Sequence, residues 1–273
     1  MTDPIVILDP TDPRIEPFRD VRDRDLRGRQ GFIAEGSVVL DQLARSRSFR
    51  ARSLLILENR LAGLEARLAA FGPDVPVYVA GAKVFDAIAG FPVHRGVLAY
   101  GEKVEGAGGE AEWDRQLSDI RDQGGLVLVA CGLSNHDNMG ALFRNADAFG
   151  VGAVLLDGAA CDPLYRKAIR VSVGSVLTVP FLRMGTPAAI HSRLAHLGFD
   201  CLFLSPAGKI ALHALTGHRP RALFLGTEGE GLDPALIEKV QTLRIGMAPG
   251  LDSLNVATSA AIALHHFFSL RPD

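Results

Sequence analysis

A strand, a loop and a helix follow one another in Leu126-Val-Leu-Val-Ala130-Cys-Gly-Leu-Ser-Asn-His-Asp-Asn138-Met-Gly-Ala-Leu-Phe-Arg144. The first five residues are all apolar, as in a strand of a parallel sheet that is covered on both faces. Similar apolar runs occupy 153–156, 201–204 and 222–225, and a further candidate strand is 176–181. The pattern predicts helices between them at 141–149 and 188–197, and a closing helix at 253–270. This alternation predicts an α/β domain with a mostly parallel sheet.

The first hundred residues alternate strand and helix patterns on a smaller scale, which favours a small βαβ-type domain. Strands are predicted at 53–57, 75–79 and 96–100, and helices at 37–44, 61–71 and 82–89. The stretch 101–110 is rich in glycine and charge, as linkers are. The only tryptophan, Trp113, then begins an amphipathic helix that runs to about Arg121. We therefore expect one domain at 1–102, a linker at 103–112 and a second domain at 113–273.

The composition narrows the class of protein. Apolar residues at 48% and charged residues at 22% are typical of globular chains. No apolar run approaches the roughly 18 residues that cross a bilayer, and the amino terminus lacks the pattern of a secretory signal. The three cysteines, Cys131, Cys161 and Cys201, form no CxxC pair. They favour a cytoplasmic protein in which the thiols are buried and structural.

Positive charge is local in this chain. The formal net charge of −2 argues against a uniformly basic nucleic-acid surface, but phosphate contacts depend on local charge. Four arginines fall within eight residues with no acid among them, which makes them candidate RNA contacts: Arg45, Arg47, Arg50 and Arg52. The alternative is a solvated surface. A second arginine-rich stretch, 19–29, is interleaved with carboxylates and is interpreted as solvated surface.

Three later segments combine glycine with polar side chains. Asn138 is placed to cap a helix, and Arg144 must meet solvent, a carboxylate or a phosphate. Glu228 follows a predicted strand, and ligands of open α/β sheets bind at the carboxyl ends of strands. Ser253 and Asn255 stand where the closing helix begins. Taken singly, each has a plain structural interpretation as a cap, an ion pair or a loop charge.

Several common sites are missing from the sequence. It contains no P-loop pattern, no G-x-G-x-x-G element between a strand and a helix, and no G-x-S-x-G element. His265 and His266 are adjacent and lack an accompanying set of carboxylate or cysteine ligands. We therefore predict no metal site.

Taken together and in order, the three segments resemble the signature motifs of the SpoU (TrmH-like) branch of the SPOUT RNA methyltransferases. The patterns N-x-G-x-x-x-R-x-A-x-x-F-G, G-x-E-G-x-G-L and S-L-N-V begin at Asn138, Gly226 and Ser253. The resemblance covers 113–273, including a Ser-x-Gly…Pro segment at 169–180. Residues 31–36 and the pattern after them look like the small ribosomal-protein-like RNA-binding domain that precedes many of these enzymes.

The resemblance implies a fold, a cofactor and a reaction. The carboxyl-terminal α/β domain would contain a deep trefoil knot, an exception to the rule that chains avoid threading, and would form a homodimer. S-adenosylmethionine would be the cofactor, and a ribose 2′-hydroxyl of RNA would receive its methyl group. The cofactor's adenosine part would contact the backbone of three residues, with Met247 nearby: Gly226, Ile245 and Leu254.

The resemblance also assigns roles at the ribose. The family's arginine that matches Arg144 draws off the 2′-hydroxyl proton, and binding an RNA phosphate is a simpler role for the same side chain. Four further residues would position Arg144 and the ribose: Asn138, Glu228, Ser253 and Asn255. The amino-terminal domain favours ribosomal RNA over transfer RNA as the substrate. The alternatives are a catalytically inactive RNA-binding protein with this fold and a small-molecule α/β enzyme.

Overall fold

The computed structural model describes residues 3–19, 31–89, 96–104, 109–226, 237–238, 240–250 and 253–272. The chain forms two compact units. The first consists of Met1–Ala107 with Leu164–Thr178, and the second of Gly108–Pro163 with Val179–Asp273. The change of unit after Ala107 falls within the predicted linker 103–112. The assignment of RNA binding and methyl transfer to separate domains stays a prediction.

The first unit contains a five-stranded sheet in the order β1-β4-β3-β5-β2. β1, β4 and β3 run parallel, while β5 is antiparallel to both β3 and β2. Each predicted strand overlaps an observed one, although β3 begins four residues earlier than expected. The strands are β1 (Ile5–Ile7), β2 (Gly31–Glu35), β3 (Phe49–Leu57), β4 (Val77–Ala80) and β5 (Val97–Lys103).

The described helices in the amino-terminal part of this unit are α1 (Ser37–Arg45), α2 (Glu65–Leu68) and α3 (Ala82–Ala89). The predicted helices at 37–44 and 82–89 are confirmed, but the one at 61–71 is wrong. A 3-10 turn at Glu58–Gly63 and the single turn of α2 stand in its place. Gly63 disfavours a continuous helix, and only Leu64 and Leu68 of this stretch are buried, so one apolar turn is all that packing supports.

The second unit contains a seven-stranded sheet in the order β10-β12-β9-β11-β6-β7-β8. Every pairing in it is parallel, so the predicted parallel α/β sheet is confirmed. The strands are β6 (Leu126–Ala130), β7 (Val151–Leu156), β8 (Phe181–Arg183), β9 (Asp200–Leu204), β10 (Ile210–Ala211), β11 (Arg221–Leu225) and β12 (Gln241–Arg244). The helices are α4 (Glu110–Asp122), α5 (His136–Ala148), α7 (Pro187–His196) and α8 (Val256–Ser269), and α6 (Arg166–Val171) belongs to the first unit.

The candidate strand at 176–181 is wrong. Residues Ser175–Leu177 form a 3-10 turn, and β8 begins only after Pro180. Val173 and Gly174 have φ angles of 55° and 89°, which turn the chain through the left-handed region just before this turn. Proline has no N–H for a ladder, so β8 starts at the next residue. No described helix has both the length and the apolar character of a membrane span.

Residues 164–178, which the sequence assigns to the domain at 113–273, pack within the first unit. Arg166 of α6 pairs with Glu35 at the end of β2 at 2.8 Å, and both side chains are nearly buried. Ser46 Oγ donates a hydrogen bond to the Leu177 carbonyl at 2.5 Å. A Cβ at Gly174 would lie 2.8 Å from the Gln42 Cβ. Glycine at 174 is therefore required both by its φ and by this close approach.

Candidate active site

The described parts of the three motif segments lie at one edge of the seven-stranded sheet. Because its strands are parallel, their carboxyl ends share an edge, where ligands of open α/β sheets bind. The first segment follows β6, Gly226 follows β11, and Ile245 follows β12. The Cys131 N–H donates a hydrogen bond to the Leu225 carbonyl at 2.9 Å, which joins the ends of β6 and β11. Glu228 lies outside the described residues.

The first segment places Asn138 inside a helix. α5 begins at His136, five residues before the predicted start, and Asn135 is its N-cap. Asn135 Oδ1 accepts hydrogen bonds from the N–H groups of Asp137 (2.8 Å) and Asn138 (3.2 Å). The prediction that Asn138 caps this helix is therefore wrong. Its side chain lies in the first turn and is 7% exposed, which makes its amide a buried polar group that needs partners.

Asn255 supplies one of those partners. It is the N-cap of α8, with Oδ1 accepting from the N–H groups of Ala257 (2.9 Å) and Thr258 (3.2 Å). Because the cap occupies Oδ1, the Nδ2 group is able to face away from the helix, and it donates to Asn138 Oδ1 at 2.9 Å. The structure thus joins the first and third segments, 117 residues apart, through one hydrogen bond.

The cap of α8 differs from the prediction. The sequence pattern starts the closing helix at Ser253, whereas α8 starts at Val256 and Ser253 is exposed two residues before the cap. A second amide contact holds the two helices together, since Asn145 Nδ2 donates to the Ala257 carbonyl at 2.8 Å. Asn145 lies seven residues after Asn138 and so faces the same side of α5.

Arg144 lies on another side of α5. Six residues after Asn138, it is displaced by about 9 Å along the helix axis and about 120° around it. The side chain is exposed and makes no hydrogen bond or ion pair with another described residue. The alternative of a structural ion pair for Arg144 therefore finds no support among the described residues. An exposed guanidinium on α5 is available to a phosphate.

The residues assigned to the cofactor occupy irregular backbone beside the strand ends. Gly226, Ile245, Met247 and Leu254 are all half-buried and lie outside helices and strands. Their N–H and C=O groups are therefore not used by a sheet ladder or a helix interior. Half-buried apolar side chains with open backbone groups suit an adenine ring and its polar edge. The cofactor fits this set of residues.

The three thiols take no part in the chemistry of this edge. Burial, with the Asp157 carboxylate as a second cause, raises the pKa of Cys131 to about 12. Burial raises the pKa of Cys161 to about 11 and that of Cys201 to about 12. These thiols are therefore protonated near neutral pH and are poor nucleophiles. The prediction of buried cysteines is confirmed for Cys131 and Cys201, while Cys161 is half-buried.

The four arginines of the candidate RNA contact lie in the first unit, and all are exposed. Arg45 ends α1, Arg47 is in the following loop, and Arg50 and Arg52 are on β3. The sequence shows no acid among them, but β5 brings one close. Glu102 is paired in register with Arg50, and its Oε2 lies 2.6 Å from Arg52 Nε. One of the four charges is therefore already paired.

Two residues of the edge do not stand out in the sequence analysis. Asp157 follows β7 directly and is 4% exposed, and Arg183 ends β8. Both make several hydrogen bonds to loop backbone. A carboxylate close after an apolar strand is the signal that identifies Glu228, and it applies equally to Asp157, which follows β7 directly. Among the described residues, no group of three His, Cys, Asp or Glu side chains is arranged to hold a metal.

Comparison with known proteins adds independent findings. A family model of the SpoU rRNA methylases matches residues 125–265. An uncharacterized tRNA/rRNA methyltransferase of Mycobacterium bovis is 36% identical over 269 residues, or 95% of this chain and 90% of that protein. The 23S rRNA (guanosine-2'-O-)-methyltransferase RlmB of Bordetella pertussis is 30% identical over 190 residues, or 69% of this chain and 76% of that protein.

A solved structure shares the fold over nearly the whole chain. The AdoMet-bound rRNA methyltransferase from Sinorhizobium meliloti superposes with a TM-score of 0.78 and covers 97% of both chains. Its sequence is 23% identical, so this likeness concerns the fold alone.

Proposed function

This chain belongs to the SpoU rRNA methylase family, a family of RNA methyltransferases, and from that membership we propose that it methylates a ribose 2′-hydroxyl of RNA. The observation that carries the proposal is the hydrogen bond from Asn255 to Asn138. It unites two distant motifs at the sheet edge where ligands bind. The name of the Bordetella pertussis relative specifies 2′-O-methylation of guanosine, which supports the same chemistry here.

S-adenosylmethionine is the cofactor, and when bound it supplies a methyl group on a positively charged sulfur. The half-buried set of Gly226, Ile245, Met247 and Leu254 would hold its adenosine part. Membership of the SpoU family supports S-adenosylmethionine as the cofactor. The trefoil knot that the sequence resemblance implies is part of the proposal.

Arg144 acts in this proposal as a phosphate-binding side chain beside the target ribose. As the ribose oxygen forms a bond to the methyl carbon, the bond from that carbon to the cofactor sulfur would break, and the hydroxyl proton would pass to solvent water. A guanidinium normally holds its proton, and the Arg144 side chain is exposed. The geometry therefore supports bidentate binding of a phosphate oxygen pair better than proton removal. Asn138, Asn255 and Ser253, together with Glu228, would position the ribose.

Ribosomal RNA is the favoured substrate. The family model and the Bordetella pertussis relative both carry rRNA in their names, whereas the Mycobacterium bovis relative is named for tRNA and rRNA together. The amino-terminal unit, with its mixed sheet and exposed arginines, would bind the RNA. Transfer RNA is the alternative substrate.

The enzyme is proposed to work as a homodimer through its second unit. α8 exposes apolar side chains, with Ile262 at 38% and Phe268 at 46%. These two residues and the exposed His265 fall within an arc of about 120° on the helix. An exposed apolar face of this kind fits a second copy of the same chain.

The proposal is tested by incubating the purified protein with S-adenosylmethionine labelled in its methyl group and with total RNA. Label in the RNA, and resistance of the modified linkage to alkali, is expected because alkaline cleavage needs a free 2′-hydroxyl. RNA and cofactor binding without any transfer would instead support the alternative of an inactive RNA-binding protein.

A further inference from the structure

Asp157 connects two loops at the carboxyl edge of the seven-stranded sheet. Its Oδ1 accepts hydrogen bonds from three backbone N–H groups: Gly132 at 2.9 Å, Ala159 at 3.2 Å and Ala160 at 2.8 Å. Gly132 belongs to the loop after β6, and the two alanines belong to the loop after β7. Since the Asp157 side chain is buried, breaking these hydrogen bonds would leave buried polar groups without partners, which costs free energy.

Two further residues, Cys161 and Arg183, complete the connection. In the opposite direction, the Cys161 N–H donates to the Leu133 carbonyl at 2.8 Å. Arg183 forms three hydrogen bonds with the loop after β7. Its Nη1 donates to the carbonyls of Asp157 (2.8 Å) and Ala160 (2.7 Å), and its Nη2 donates to the carbonyl of Cys161 (3.1 Å). We call Asp157 and Arg183 together the loop clamp.

The clamped loop leads directly into the catalytic helix. Only residues 131–135 separate β6 from α5, and the last of them, Asn135, is the N-cap of that helix. Gly132 adopts a φ of 63°, so a hydrogen bond to its N–H restrains the loop where its backbone is least restricted. The path of this loop sets where α5 begins and thus where Asn138 and Arg144 stand.

We propose that Asp157 and Arg183 are positioning residues for methyl transfer, which act by holding the loop after β6 so that α5 presents Asn138 and Arg144 to the RNA. The proposal rests on the function proposed above. Neither residue needs to touch the substrate or the cofactor.

From the order of the strands, we expect the loop clamp to affect the position of α5 but not cofactor binding. The clamp lies after β7 and β8, on one side of β6, whereas Gly226 and Ile245 follow β11 and β12 on its other side. Loosening the clamp therefore moves α5, while β11 and β12, which Gly226 and Ile245 follow, keep their pairings in the sheet. The turnover number should fall while affinity for S-adenosylmethionine is retained, because a small misplacement of a catalytic group is costly to the rate.

The chain offers matched variants. Asp157→Ala removes the Oδ1 acceptor, so the three loop N–H groups lose their hydrogen-bond partner. Asp157→Asn keeps a side-chain oxygen in the position of Oδ1. Because all three donors are backbone amides, the acceptor oxygen matters more than the full charge, and Asp157→Asn should rescue function. Arg183→Met removes the second half of the clamp. Arg183 is exposed, so this variant keeps the test available if Asp157→Ala does not fold. Arg115→Met, at an exposed site on α4, is the control.

The experiment measures the turnover number per folded enzyme, the dissociation constant for S-adenosylmethionine, and amide exchange at Gly132, Ala159 and Ala160 in the cofactor-free protein. Asp157→Ala and Arg183→Met should lower turnover about 10- to 100-fold. In both, exchange at these amides should be faster and cofactor affinity unchanged. Asp157→Asn and Arg115→Met should resemble the wild type.

The inference is overturned if Asp157→Ala or Arg183→Met keeps wild-type turnover, or if cofactor affinity falls in step with turnover. It is also overturned if Asp157→Asn is as impaired as Asp157→Ala. A wild-type protein without methyl transfer would contradict the proposed function instead, and the amide-exchange measurement would still decide whether the clamp restrains the loop.

Discussion

At the scale of single residues, Asn255 performs two tasks with one amide. Its Oδ1 caps α8, and its Nδ2 holds Asn138. Because Oδ1 is used by the cap, Nδ2 is the end of the amide that faces Asn138. The cap of α8 thus fixes the orientation of the Asn255 side chain. A residue that serves both stability and the site is best examined by variants that separate the two tasks.

Asn255→Ser and Asn255→Ala make that separation. Serine caps helices about as well as asparagine, whereas alanine costs about 0.5–2 kcal/mol at this position. Neither replacement reaches Asn138. We expect both variants to methylate RNA more slowly than the wild type, while only Asn255→Ala is less stable in urea unfolding. Wild-type turnover in Asn255→Ser would show that the contact with Asn138 has no role in the reaction.

The sequence identifies the right amides but not their local roles. Asn135 and Asn138 both precede a helical pattern, and either can cap it, so composition alone does not choose between them. Burial decides, because Asn138 packs inside the first turn and is 7% exposed. The same applies to Ser253 and Asn255, where the helix begins after the later residue.

At the scale of elements, the arginine cluster shows what pairing of strands adds to a sequence pattern. The four arginines lie close together along the chain, but only the antiparallel pairing of β3 with β5 brings Glu102 to Arg52. An exposed ion pair of this kind contributes little to stability. We expect this ion pair to matter more for RNA binding than for stability, since it places the Glu102 carboxylate beside the proposed phosphate contacts.

Replacing the four arginines with alanine should therefore weaken RNA binding and flatten its dependence on salt. The slope of log K against log salt should fall by roughly 0.7–0.9 for each RNA phosphate that the variant no longer binds. Glu102→Gln is the matched variant, and it should strengthen binding because it removes the competing acid. Titrations of RNA at several salt concentrations measure both effects. An unchanged slope in the alanine variant would assign these arginines to the solvated surface.

Strands differ in how well the sequence predicts them. The apolar runs of β6, β7, β9 and β11 are recognisable because strands that are buried on both faces need no polar residue. β10 has only two residues and β12 is short and partly polar, so the sequence pattern predicts neither strand. The sequence does not predict the loop clamp either, because Asp157 and Arg183 form hydrogen bonds with backbone atoms, and any residue type can supply those.

At the scale of the whole molecule, the two compact units do not divide the chain at a single point. Residues 164–178 pack with the first unit through the pair of Arg166 and Glu35, although the motif pattern places them in the methyltransferase domain. Composition does not reveal contacts between residues so far apart along the chain. The predicted linker at 103–112 therefore marks only one of the places where the chain passes from one unit to the other.

The proposed homodimer is a property of the whole molecule that a single side chain can test. Ile262→Glu places a charge on the exposed face of α8, and burying an unpaired charge in an interface is costly. Light scattering should report two chains of 29.2 kDa for the wild type and one for this variant. Val38→Glu, at an exposed apolar position on α1, should stay dimeric. A dimeric Ile262→Glu variant would place the interface elsewhere.

The decisive measurement is the position of the methyl group that the pure enzyme adds to RNA, compared between the wild type and the Arg144→Ala variant. The wild type should make one ribose 2′-O-methyl group at a defined nucleotide, detected as a linkage that resists alkali. Arg144→Ala should bind S-adenosylmethionine normally, because the residue is exposed and outside the proposed cofactor backbone, yet transfer methyl groups about 100-fold more slowly, because the RNA phosphate is no longer held beside the target ribose. A methyl group on a base, or full activity in Arg144→Ala, would contradict the account.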